Sequence, residues 1–337
     1  MRSFHLAFSL IFLSLVACQQ IQENGLPMAV GLALSSPAAK TGCTKLVATN
    51  IIFQSADGGQ TWHDISAGLP EGLQAQRFFA SDDGLFLGAE NGVYRSSTTA
   101  VTPVWDKEIS LNPHSNIVSA GQAGVFAVNY SGGFFQKLYN TDIWMPMFTD
   151  FEEHSIHTVF EAKDGAIFIG CENGLFKSAD GGKTWKHVVE DGWVIHIVES
   201  NGVLLCTNER GILRSANGGE HWDVVVSEGG VGIAVEVIEG GFAAITYNTE
   251  SETRRVRTST DGGKTWQAID AGLPPSMLIA SIKQVGKYFL CGHPDGIFRS
   301  ADNGKTWELL KPSIGKKVFN LSVSGNMVYA VAMDGGC

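Results

Sequence analysis

Four short turns carry the residues best suited to chemistry. Glu90-Asn91-Gly92, Glu172-Asn173-Gly174, Asn208-Glu209-Arg210 and His293-Pro294-Asp295 each set an acidic side chain on a tight connection between apolar runs. Two carboxylates flanking a glycosidic bond, roughly 5 to 9.5 Å apart, suffice to hydrolyse it. Glu90, Glu172, Glu209 and Asp295 are therefore candidate catalytic residues, although spacing along a chain does not supply distance through space. The same turns also read as a polar binding rim, to which Asn91, Asn173, Trp193, Arg210, Arg254, Arg255 and His293 belong. His114, Glu152, Glu153, His154 and Asp191 extend it. Glu-Asn-Gly is, in addition, simply good hairpin sequence, and solvated turns need no ligand to explain them.

Metal and cofactor chemistry find less support. His157 and His196 fall on expected innermost strands and could face a central channel, but two imidazoles make a poor metal site. No calcium loop is present, because a cage of about seven oxygens needs alternating carboxylates that the chain does not supply. We expect neither metal nor cofactor. Cys171, Cys206 and Cys291 fall at similar points of three repeats and read as small buried hydrophobes. Cys43 and Cys337 leave their redox state open.

What positions these turns is a repeat. Ser55-Ala56-Asp57-Gly58-Gly59-Gln60-Thr61-Trp62 recurs as Ser178 to Trp185, Ser259 to Trp266 and Ser300 to Trp307, and again as Ser215 to Trp222 with Asn217 for Asp and His221 for Thr. The acidic or amide positions 180, 217, 261 and 302 lie 37, 44 and 41 residues apart, and the 123 residues from 57 to 180 leave room for two weakened copies. One runs from Tyr94-Arg95-Ser96 to Trp105, the other from Leu138-Tyr139 through Asp142 to Trp144. Seven tryptophans thus mark seven repeats, with Trp193 outside the series. In each turn Ser and Asp oxygens can accept backbone N–H groups while Gly supplies positive φ, and the Trp ring can pack between neighbouring units. Four short strands per repeat of about 41 residues specify a propeller blade. We expect an all-β, seven-bladed propeller with four-stranded blades. Strands 318–323 and 327–332 then either complete the first blade or begin an eighth.

The pattern S-x-D-x-G-x-T-W resembles the Asp box, also called the BNR repeat. The longer wording of Gly174 to Trp185 and Gly296 to Trp307 is similar to the photosystem II stability/assembly factor family and to sortilin-type propellers. That resemblance implies a non-enzymatic scaffold binding protein segments or glycans across one face. Sialidases share the box more distantly, and they would imply three arginines around a sugar carboxylate. Arg95, Arg214 and Arg299, however, occupy one repeated slot before the box Ser, shared by Gln54 and Lys177, and read as framework. Only Arg77, Arg210, Arg254, Arg255 and Arg257 then remain in the mature chain.

The amino-terminal region sets the compartment. Arg2, an apolar run from Leu6 to Val16 and Leu15-Val16-Ala17-Cys18 read as a signal peptide ending in a lipobox. We expect residues 1–17 to be a signal peptide, Cys18 to carry a lipid, residues 18–40 to be a tether, and residues 41–337 to be the propeller. Gln19 points to the outer membrane of a Gram-negative bacterium. A formal net charge of −10 disfavours nucleic acid as a partner. The expectation is a lipid-anchored cell-envelope propeller that binds an envelope protein segment or glycan. The alternative is a glycoside hydrolase using two rim carboxylates.

Overall fold

The computed structural model describes residues 48–81, 83–98, 103–111, 116–129, 133–147, 155–227 and 230–334. They form seven antiparallel sheets of four strands, labelled a to d from the centre outward. The a strands are Lys317–Ser324, Ala75–Ser81, Asn116–Ala120, Ile156–Glu161, Ile197–Ser200, Gly232–Ile238 and Ser281–Val285, for blades 1 to 7 in turn. Each a strand lies against the next, and that of blade 1 against that of blade 2, so the ring closes. Blade 1 is built from both ends of the propeller: its a and b strands are Lys317–Ser324 and Met327–Asp334, and its c and d strands are Ile52–Ser55 and His63–Asp64. The two carboxy-terminal strands thus complete the first blade.

Burial follows position in the blade. The b strands Gly84–Ala89, Gly124–Asn129 and Ile167–Cys171 are buried along their whole length, and the other four along all but their ends, because a neighbouring blade covers each face. The core is seven apolar clusters, one for each interface between adjacent blades, and every cluster contains one of Trp62, Trp105, Trp144, Trp185, Trp222, Trp266 and Trp307. The repeat tryptophan of each blade packs back onto the preceding one. Cys171, Cys206 and Cys291 are buried at these interfaces, and desolvation pushes the Cys206 and Cys291 thiols far above their usual range. Cys43 and Cys337 lie outside the described residues.

The Asp boxes join strands c and d. In the first, Ser55 Oγ and the Gln60 and Thr61 amides all donate to Asp57 Oδ1 at 2.8–2.9 Å, Thr61 Oγ1 donates to Asp57 Oδ2 at 2.6 Å, and the Gly59 amide donates to Ser55 Oγ. The boxes at 180, 261 and 302 repeat this set. Asn217 holds its own through the His221 amide. The cation before the box Ser clasps the next blade: Lys177 Nζ meets Glu220 at 2.6 Å and Arg214 Nε donates to Gly262 O at 2.7 Å. These are framework contacts, as the repeated slot implied.

Blades 2 and 3 depart from the pattern. Asp142 organises no box turn and is instead exposed. The cation slot of blade 3 holds Lys137, which is 1% exposed and donates to Glu108 Oε2 of blade 2 at 2.7 Å. Trp144 Nε1 donates to the same oxygen, and Arg95 lies 3.5 Å from the other. An ionic cluster thus joins these two blades where the box is lost.

Candidate functional site: the channel mouth

The a–b and c–d turns, Asp boxes included, lie on one face of the ring, and the b–c turns and d–a loops on the other. On this second face the a strands begin, and there the channel opens into a cavity of about 410 Å³. Its wall is largely apolar, formed by Ile117, Ile195, Val231, Ile233, Leu278 and Val318, with Trp193 at the lip, 43% exposed. A second cavity of about 200 Å³ lies deeper and shares Gln76, Arg77, His196, Asn320 and Met333 with the first.

Three β-bulges shape this mouth. The pairing of strands a and b shifts register between Ala75 and Arg77, between Ile156 and Thr158, and between Gly232 and Ala234, in blades 2, 4 and 6. A bulge inserts one residue and re-aims its side chain. The three inserted residues, Gln76, His157 and Ile233, all line the mouth.

Arg77 crosses the channel. Its Nη1 donates to His196 Nε2 at 3.1 Å and its Nη2 to the Ile195 carbonyl at 3.1 Å, joining blade 2 to the start of blade 5. His196 can accept only while neutral. Desolvation, then the charges of Arg77 and Lys283, hold it well below the usual histidine range. Burial likewise lowers His157, partly offset by Glu172 and reinforced by Arg77. Arg254 fixes another wall by donating to the Ile279 carbonyl at 2.7 Å. Below the Arg77 crossbar, Lys283 pairs with Glu236 at 2.5 Å.

The residues singled out from sequence divide into three groups. Trp193 and Arg254 line the mouth, as do His157 and His196. Glu90, Glu172, Asn173, Glu209, Arg210 and Asp295 stand exposed on b–c turns of blades 2, 4, 5 and 7, outside the cavity lining. Asn91 accepts from the Tyr94 hydroxyl, and Arg210 turns back to Asn208 Oδ1. His293 and Arg255 perform local structural work. His293 is buried, with Nε2 3.0 Å from the Pro274 carbonyl and Nδ1 accepting the Asp295 amide. Arg255 forms a two-pronged pair with Asp270. His114, Glu152, Glu153, His154 and Cys18 lie outside the described residues. Sequence reading did not single out Gln76, the apolar wall or Asp334. For Gln76 and the wall the only signal was a position at or just before the start of an innermost strand, while Asp334 ends the b strand of blade 1.

Among the described residues, the mouth lining contains one carboxylate, Asp334, and two arginines, Arg77 and Arg254. No group of three or more His, Cys, Asp or Glu side chains could hold a metal ion among them. Neither a carboxylate pair nor a triad of arginines converges there. The arrangement can present an apolar recess, an aromatic lip and fixed hydrogen-bonding groups to a ligand.

Fold and repeat define the class: a seven-bladed Asp-box β-propeller. Residues 257–268 match the BNR/Asp-box repeat family. No curated protein matches the chain in sequence. Among solved structures, the extracellular domain of the BT4673 hybrid two component system from B. thetaiotaomicron is similar, with TM-score 0.60 and 10% identity over 77% of this chain and 38% of that one. An ancestral GH74 enzyme aligns with TM-score 0.57 and 16% identity over 78% of this chain and 40% of its own. The present chain therefore spans about two fifths of either protein. YCF48 bound to a D1 peptide aligns with TM-score 0.55 and 12% identity, over 79% of this chain and 96% of that one. At these identities the likeness is one of fold.

Proposed function

We propose that this chain is a binding propeller of the cell envelope, anchored by a lipid on Cys18, that holds a segment of another protein at the channel mouth. The observation that carries the reading is the mouth itself: a preformed apolar cavity with an exposed tryptophan at its lip and three bulged residues turned into it. An apolar recess returns free energy to side chains that leave water for it, and an exposed Trp at its edge is a typical binding anchor. The peptide held by the similarly folded YCF48 agrees with this use of the fold.

The competing reading is glycoside hydrolysis, for which the GH74 likeness is the argument. It needs two carboxylates about one sugar bond, and the described mouth offers one. The test is turnover of aryl-glycosides and sialosides beside capture of peptides by the intact chain. We expect no turnover and peptide binding that Trp193→Ala weakens by about tenfold or more. Hydrolysis abolished by one change among Glu90→Gln, Glu172→Gln, Glu209→Gln and Asp295→Asn would replace the binding reading with the enzymatic one.

A further inference from the structure

We propose that the segment taken by the mouth is apolar at its centre and basic on its flanks. This rests on the mouth as a protein-binding site and adds the chemistry of its partner. The wall around Ile195, Val231, Ile233 and Leu278 favours an inserted aliphatic or aromatic side chain, which would supply most of the affinity.

The surroundings of Trp193 are acidic. Glu190 and Asp191 precede it on the same d–a loop, Glu172 stands on the b–c turn of blade 4 and Glu209 on that of blade 5, all four exposed. The two elements of blade 5 and this loop are tied together: Asn208 Nδ2 donates to the Asp191 carbonyl at 2.8 Å, and the Glu209 side chain packs over Gly192. Glu190, Asp191 and Glu209 thus share the lip beside Trp193, and the Val194 amide, donating to the Cys171 carbonyl, brings the turn bearing Glu172 to the same loop. Of the cations near these carboxylates, Arg77 and Arg254 donate to the Ile195 and Ile279 carbonyls inside the channel, and Arg210, exposed beside Glu209, donates to Asn208 and offsets one of the four carboxylates. The formal net charge of −10 adds a long-range field of the same sign. Charge complementarity at an exposed rim selects partners and speeds encounter more than it strengthens the final complex. Lysine or arginine beside the apolar anchor matches that rim, and acidic flanks would be repelled.

The test is a display library of random 12-residue peptides panned on the full chain and counter-selected on Trp193→Ala. We expect recovered peptides to place Leu, Ile, Met or Phe between Lys or Arg residues. Exchanging those basic flanks for Glu should lower affinity about tenfold at low salt, with the gap narrowing as salt screens the rim. The triple variant Glu190→Gln, Asp191→Asn, Glu209→Gln should weaken binding about three- to tenfold and flatten its salt dependence, with an unchanged Tm to confirm folding. Trp193-dependent peptides with acidic or uncharged flanks would overturn this inference and leave the protein-binding mouth standing. Recovery of no Trp193-dependent peptide would overturn both.

Discussion

In an Asp box one carboxylate oxygen gathers three donors, and that chemistry sets a pH signature. Hydrogen bonds from the Thr side chain and backbone lower Asp57 and Asp302 to about 2, and similar bonds hold Asp180 and Asp261 lower still. An unfolded Asp titrates near 3.9. Because the folded chain binds the proton less readily, stability from the boxes is complete above about pH 4 and is lost as pH falls through about 2. We expect urea midpoints to drop steeply across that window, and the drop to shrink in Asp57→Asn, which copies the natural Asn217 box. The histidines act in a separate window. His157, His196 and His293 are all lowered, chiefly by burial, so the unfolded chain takes up protons first and stability should begin to decline below about pH 6.5. A urea midpoint flat from pH 7 to 5 would contradict that assignment. The box was legible residue by residue because its bonds run between positions at most four apart. The Arg77–His196 bond was not, because its partners lie 119 residues apart and neither occupies a distinctive motif.

Blades are legible wherever the pattern is local, and they become illegible where pairing slips. Apolar runs and glycine turns gave the strands. Gly174, at φ 127°, begins a c strand where a Cβ would stand 1.8 Å from the Val189 carbonyl oxygen, so the glycine is required rather than incidental. The bulges at Gln76, His157 and Ile233 leave no such trace, since each inserted residue differs in type and only pairing with the b strand reveals it. The repeat tryptophans tie element to element. Trp105 is 2% exposed, packs between blades 1 and 2, and donates from Nε1 to the Ile65 carbonyl at 2.7 Å. Trp105→Ala should cost about 3–5 kcal/mol, and Trp185→Ala, at a partly exposed ring, less. Urea denaturation checks both, and equal midpoints for wild type and Trp105→Ala would remove the tryptophans from blade packing. Loss of Glu108 should also be costly: Glu108→Gln leaves the buried Lys137 ammonium without its 2.7 Å carboxylate. We expect a penalty of about 3–5 kcal/mol by the same measurement, against little change for Glu220→Gln at the exposed blade 4–5 clasp.

At the scale of the molecule, closure converts seven modest sheets into a ring whose a strands begin around a framed mouth. Blade 1 takes strands from both ends of the propeller, so the ring is held shut by pairing of Ile52–Ser55 with Met327–Asp334. One face is occupied by Asp boxes that serve the framework; the other is left to the mouth and its rim. The proposed lipid anchor is tested on the full chain: Cys18→Ser should release it from membranes and abolish incorporation of labelled fatty acid. An unmutated chain that takes up no label would remove the anchor from the account. The most direct test of the central claim is hydrogen exchange on the full chain with and without a peptide selected against it. The account predicts slowed exchange at residues 193–197, 231–235 and 278–282, around the mouth, with the box turns at 57–61, 180–184 and 261–265 unchanged. Protection confined to the box turns, with none at the mouth, would contradict it.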